Sequence, residues 1–331
     1  MVMRYKDGWI PNLLAFAYVI GGYAGGWALF YQDKLIFNVA GVLLLAHSMV
    51  IAAYLIHECA HNTIFFKNQW NANFGRVLMW FTGACYSSYE EIRHKHFRHH
   101  MDRGDVVAFD YRPRLARHQQ LMKVIRVLEW LYIPAVEIIM HVLVLILPFT
   151  MENRRHKRKL VITVFLVRAS IFAVLAWFKP IVLIMYALAY MLFLIVMRFM
   201  DAHQHTYEIF ETLDQKRGEE AKRFDAAYEE RNTFSNVIST NYPWLNLLVL
   251  NFGYHNAHHR KPIMPWYRLP GLHQELYAAD SRQILPFVNL LKAYHEYRVP
   301  RILNEDEGDV TGLEKGRHFV GVNGVSFLTT H

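Results

Sequence analysis

The chain has 331 residues, 53% of them hydrophobic and 19% charged, with a formal net charge of +8. The apolar residues gather in runs and not in the dispersed pattern of a soluble core, and the basic residues flank those runs, as Arg154, Arg155, Lys157, Arg158 and Lys159 do. That excludes a pair of soluble domains and a nucleic-acid partner, and Cys59 and Cys85, the two cysteines, exclude a disulfide framework.

In chain order, Ile10–Phe30 carries no charge and is expected to stay in the membrane as an anchor. It holds two small-xxx-small pairs, Gly21/Gly25 and Gly22/Gly26, which permit close helix approach. Leu35–Ile56 follows, with His47 as its one titratable group. Each run is near the ~20 residues that cross a hydrocarbon core. After a long polar stretch come Leu160–Phe178, charged only at Arg168, and Pro180–Met197, uncharged. The prediction is an all-α integral membrane protein. Its four transmembrane helices (about 10–30, 35–56, 160–178 and 180–199) form two hairpins, with a cytoplasmic helical cap. One membrane domain covers 1–300, and 301–331 is a polar tail, docked or loose.

The stretch from His57 to Lys159 holds 16 Lys and Arg, against one each (Lys34 and Lys179) in the short turns. The positive-inside rule puts that stretch and both termini in the cytoplasm. Val124–Phe149 is apolar and long enough to cross, but contains Arg126, Glu129, Glu137, His141, Pro134 and Pro148. Burying those charges in lipid costs several kcal/mol, so the expectation is one or two helices lying in the interface. Glu137 and His141, four apart, are candidates to face the site, with water or headgroups the favoured expectation. Arg168 calls for a partner inside the bundle or a shifted register.

Three clusters carry the chemistry: His57 and His61, then His96, His99 and His100, then His255, His258 and His259. Spacings of i, i+3 and i+4 put the imidazoles of each cluster on one helix face, within reach of one metal. No span separates the first two clusters and two spans separate the last two, so all three face the same side. Asp201-Ala-His203-Gln-His205 offers a further ligand. His203 is favoured because it is nearer the membrane exit, with His205 left open. His94 lies off its cluster's face and is expected to be solvated, and His47 to be a buried, hydrogen-bonded side chain. His118, His156, His273, His295, His318 and His331 are isolated and expected on the surface. Eight or nine imidazoles are too many for one zinc and suit two irons. Cys59 is expected to pack and not to ligate, while Glu58 is a candidate to support the ligands.

This pattern resembles the membrane fatty-acid desaturase and hydroxylase superfamily, whose mark is three such histidine boxes. The run Gly253-Tyr254-His255-Asn256-Ala257-His258-His259, followed by Pro262, Pro265 and Arg268-Leu269-Pro270, looks like the third box of sphingolipid and acyl-lipid desaturases. The resemblance implies His57, His61, His96, His99, His100, His255, His258 and His259 as iron ligands. It also implies a further ligand before the third box, which supports His203 without choosing it over His205. It implies two iron ions, dioxygen as co-substrate, and oxygen-dependent desaturation of a fatty acyl or lipid chain. Tyr54, Trp80 and Trp244 are candidates to line a hydrocarbon tunnel. No haem-cytochrome segment of the HPGG type is present, which implies a separate electron donor: a ferredoxin, or a small haem cytochrome with its reductase. The basic surface around Arg112, Arg114 and Arg117 suits an acidic carrier.

Three other readings compete. A hydroxylase or oxygenase of the same di-iron class would act on a fatty, alkane or terpenoid substrate. A zinc metalloprotease would use His57-Glu58-Cys59-Ala60-His61 but ignore the other two clusters. A metal carrier would need ionisable groups along the membrane path, where these spans offer only His47 and Arg168.

Overall fold

The computed structural model describes residues 2–215, 224–278, 281–303 and 306–330; His331 lies outside them. The chain is mostly helical, and among the described residues four helices are long and apolar enough to cross a membrane. They are α1 (Trp9–Phe30), α2 (Leu35–Ala60), α8 (Arg158–Phe178) and α9 (Val182–Ala202). Against the all-α expectation, the described residues also include a parallel pair of three-residue strands, β1 (Asp105–Val107) and β2 (Phe210–Thr212). The chain divides into two compact units, residues 1–91 with 141–196, and residues 92–140 with 197–330.

The first unit contains α1, α2, α3 (Asn68–Thr82), α8 and most of α9. A Cβ on Gly26 would sit 2.8 Å from Leu45 Cβ and 3.1 Å from Gly41 O, and one on Gly22 would sit 2.3 Å from Ser48 Oγ. Nothing lies within 4 Å of a Cβ on Gly21. Of the two glycine pairs, therefore, Gly22/Gly26 is the one that lets α1 and α2 touch. Polar groups in these helices are paired inside the unit, as an apolar surround demands. The Asn38 amide donates to the carbonyls of Leu29 (3.0 Å), Phe30 (3.3 Å) and Gln32 (2.9 Å), and so caps the open end of α1. His47 is half-buried and hydrogen-bonded to the Tyr18 hydroxyl across the same helix pair. Arg168, in the middle of α8, donates to Trp80 O at the end of α3 (3.0 Å) and to the Tyr186 hydroxyl (2.9 Å). It also lies over the Phe172 and Tyr86 rings. A cation at the C-terminal end of a helix meets an unsatisfied carbonyl and the negative end of the dipole, which explains an arginine in an apolar run.

The second unit contains the rest of α4 (Tyr89–Asp102), α5 (Arg112–Arg117), α6 (Gln119–Trp130) and the start of α7 (Ala135–Thr150). It continues with α10 (Ala226–Arg231), α11 (His255–Arg260), α12 (Leu269–Leu276) and α13 (Phe287–Glu296). The segment Val124–Phe149 becomes α6 and α7, broken before Ala135. Glu137 is not turned to water or headgroups. It is buried, and Arg198 donates to it at 3.3 Å and to Glu129 at 2.5 Å. Burial pushes the Glu137 carboxyl above the usual carboxylate range, against the pull of Arg198. His141, in the first unit, is bonded to Tyr190 (2.8 Å). The segment after Pro300 is docked: Phe319, Asn323, Phe327, Leu328 and Thr329 are buried.

Gly26→Ala is expected to overpack the α1–α2 contact and destabilise the protein by about 1–3 kcal/mol, while Gly21→Ala leaves it unchanged. Thermal unfolding of the two variants in detergent checks this; equal effects would contradict it.

Candidate metal centre

The second unit builds its histidine groups from short helices and the chain between them. On α4, His96, His99 and His100 fall on one face, as the i, i+3, i+4 spacing predicts. On α11, His255, His258 and His259 do the same. Side chains around the box hold α11 in place. The Asn256 side-chain amide donates to Thr233 O (2.6 Å), its backbone N–H donates to Ser235 Oγ (3.1 Å), and the Ser235 hydroxyl donates to Asn256 Oδ1 (2.8 Å). Below it, Val237, Tyr254, Ala257, Leu269 and Leu272 form an apolar cluster.

His99, His205, His255 and His259 bring one ring nitrogen each within 4.8 Å of one another. His205 Nε2 lies 2.9 Å from His255 Nε2 and 3.1 Å from His259 Nε2. Two of these rings are fixed from behind. His99 Nδ1 faces the Gly104 carbonyl at 2.9 Å, which can only accept, so Nδ1 carries the hydrogen. His259 Nδ1 faces the Glu229 carboxylate at 2.9 Å, with the same result. Both Nε2 atoms therefore present lone pairs to the group's centre. Four nitrogens cannot all be satisfied by the hydrogens that remain; a cation satisfies them. The donor set, neutral imidazoles oriented by a carbonyl and a carboxylate, is the one metal sites use.

A second group in this unit consists of His96, His100 and His258. His100 Nε2 lies 3.1 Å from His96 Nε2 and 3.2 Å from His258 Nε2. These nitrogens face one another as those of the first group do, and iron, with its affinity for imidazole, fits both groups.

Burial holds five of these imidazoles neutral. His99 is pushed down to about 4 and His258 to about 3, in each case first by desolvation. His205, His255 and His259 are lowered well below the ordinary range by burial and then by one another.

In the first unit, His57 lies in the last turn of α2 and His61 just beyond it, their ring centroids 4.8 Å apart. Glu58 accepts a hydrogen bond from Thr63 Oγ1 at 2.6 Å and stands 3.8 Å from His57 Nδ1, too far for a hydrogen bond. It is buried and engaged, which disfavours a role as a protease base. Cys59 is buried and joins neither group.

His203, the favoured extra ligand, is not placed with either group; His205 is. The two His203 nitrogens face the Phe199 carbonyl (3.3 Å) and the Arg301 guanidinium (3.4 Å). The helix ends at Ala202, and beyond it the ring of His205 stacks on Tyr207 (4.5 Å). Glu229 was missed by sequence reasoning. It sits on α10, bridges Arg103 (3.0 Å) and His259, and nothing in its local sequence marks it. His94 is exposed as expected, but His273 is buried, packed on Tyr254 (5.1 Å). Of the tunnel candidates, Tyr54 is buried and Trp244 exposed. Trp80 lines a cavity of about 220 Å³ with Tyr23, Trp27, Phe81, Arg168 and Phe172.

The fatty acid desaturase family model matches residues 34–289, and the chain belongs to this family. No curated protein aligns with the chain closely enough to count as a match.

His205→Ala is expected to lower bound metal and His203→Gln to leave it in place, with metal content per chain as the measure. Glu229→Gln should weaken metal binding by about 10–100-fold. The depressed histidines also set an acid limit. The unfolded chain takes up protons below about 6.5, whereas folded His99 resists until about 4. Metal-free protein should therefore lose stability as pH falls through that window; a flat melting temperature between pH 7 and 4.5 would contradict this.

Proposed function

We propose that this desaturase-family protein carries out oxygen-dependent desaturation of a fatty acyl or lipid chain at a histidine-bound di-iron centre. The ligands are His57, His61, His96, His99, His100, His205, His255, His258 and His259, with His205 in the place first given to His203. One observation carries the reading: the Nε2 atoms of buried His205, His255 and His259 face one another, while acceptors hold the Nδ1 atoms of His99 and His259.

Two bound irons would supply the oxidising power that dioxygen and external electrons bring to an unactivated C–H bond. The residues do the rest. Gly104 O and Glu229 fix the tautomers of His99 and His259. Arg103 holds Glu229 in place from its other oxygen. Burial keeps His99, His205, His255, His258 and His259 neutral, and so able to ligate, through the physiological range. The four apolar helices keep the protein where acyl chains are concentrated.

The histidine groups and both termini face the cytoplasm in this reading, and a ferredoxin or small haem cytochrome delivers the electrons. Arg112 is drawn to Asp110 (3.0 Å) and to the Phe210 ring (3.5 Å). Arg114 and Arg117 are exposed and are the residues left to steer an acidic carrier. Reversing both charges should slow reduction at low ionic strength and flatten its salt dependence; an unchanged salt profile would remove them from the docking surface.

Expression in a host of defined lipid content, followed by mass spectrometry of the lipids, tests the reaction. A product 2 Da lighter than its precursor, lost in His99→Ala, is expected. A product 16 Da heavier would assign hydroxylation instead, and product persisting in His99→Ala would overturn the ligand set.

A further inference from the structure

Residues 319–330 run through the interior of the second unit, and a set of buried polar groups holds them. Val322 N–H donates to Ala202 O (3.2 Å), Arg301 Nε to Val320 O (2.5 Å), and Gly324 N–H to Glu137 Oε1 (3.1 Å). Lys95 Nζ donates to Ser326 O and to Thr329 O, both at 2.6 Å. Lys95 and Arg301 are each 1% exposed. Buried cations are costly unless their donors are engaged, and these two are aimed at backbone carbonyls of one segment. Gly321 has φ +74, and a Cβ there would come within 2.3 Å of Ala202 O, so the segment is pressed directly against the end of α9.

The segment leads to a histidine group. Lys95 is the residue before His96, and the Phe327 ring packs 6.0 Å from the His96 ring. Phe327, Leu328 and Thr329 are all buried.

We propose that residues 319–330 form an internal strap that closes the His96–His100–His258 group to water, with Lys95 as its clasp and Phe327 as its seal. Oxygen chemistry at a buried site depends on keeping water and stray protons out. Lys95 and Phe327 are positioning residues: they act on the ligands and touch neither metal nor substrate. The proposal deepens the metal-centre reading and rests on it for its purpose, though the closure itself can be measured without metal.

The test uses full-length protein in detergent, with Phe327→Ala, Phe327→Leu, Lys95→Met and, as a control outside the strap, Leu313→Ala at a fully exposed position. Two rates are read: carbethoxylation of His96 and His100 in metal-free protein, followed by mass spectrometry, and loss of iron from loaded protein to a hydrophilic chelator. Phe327→Ala and Lys95→Met should raise both rates about tenfold, Phe327→Leu should restore most of the protection, and Leu313→Ala should match the parent. Should Lys95→Met fail to fold, Phe327→Ala decides. Carbethoxylation of Phe327→Ala at the parent rate would overturn the strap. A parent protein that takes up no iron would instead overturn the metal reading, while carbethoxylation would still decide the strap.

Discussion

Imidazole nitrogens that face one another at hydrogen-bonding distance, with too few hydrogens between them, are the constraint on which this protein is built. The acceptors behind the rings make the constraint strict. With Gly104 O on His99 and Glu229 on His259, neither ring can turn over to offer a donor. Such an arrangement is unstable in an empty interior, because buried polar atoms without partners cost free energy. It becomes favourable when a cation sits among them. The supporting parts of the second unit make sense in that light: Asp225 caps α10 and so places Glu229, Arg103 steadies it, and Asn256 locks α11 to the chain at Thr233 and Ser235.

The first unit answers a different demand. Helices in lipid must satisfy their polar groups internally. Asn38 caps α1, the Tyr18–His47 pair joins α1 to α2, and Arg168 caps α3. None of these groups offers an ionisable path along the spans, so they favour a scaffold over a carrier. Over Leu45–Ala60, α2 is buried nearly all round, and it ends in His57 and His61. The helix that ends in the first histidine cluster is thus also the most buried of the four apolar helices.

Much of this was legible in the amino-acid chain, for a local reason. Lipid-crossing runs show in composition, and the histidine clusters show as i, i+3 and i+4 spacings that need no tertiary information. Their division, His99 with His205, His255 and His259, and His96 and His100 with His258, does not show there. What the chain did not reveal depends on distant residues. Position in the chain favours His203 over His205; the structure groups His205 with the other imidazoles and turns His203 to Arg301, 98 residues away. Glu229 sits in an ordinary acidic stretch, and its role exists only because α10 meets α11. Glu137 and His141 fit an interfacial helix by polarity, yet Arg198 and Tyr190 draw them inward. The final segment is polar enough to pass for a loose end, and partners distant in the chain, Lys95, Glu137, Ala202 and Arg301, hold it inside.

The most direct test of the central claim is the metal content and coordination of the purified protein, by elemental analysis together with X-ray absorption at the iron edge. The account predicts two irons per chain, each in a shell of imidazole nitrogen with no sulfur. Zinc alone, a single metal, or iron bound through a thiolate would contradict it.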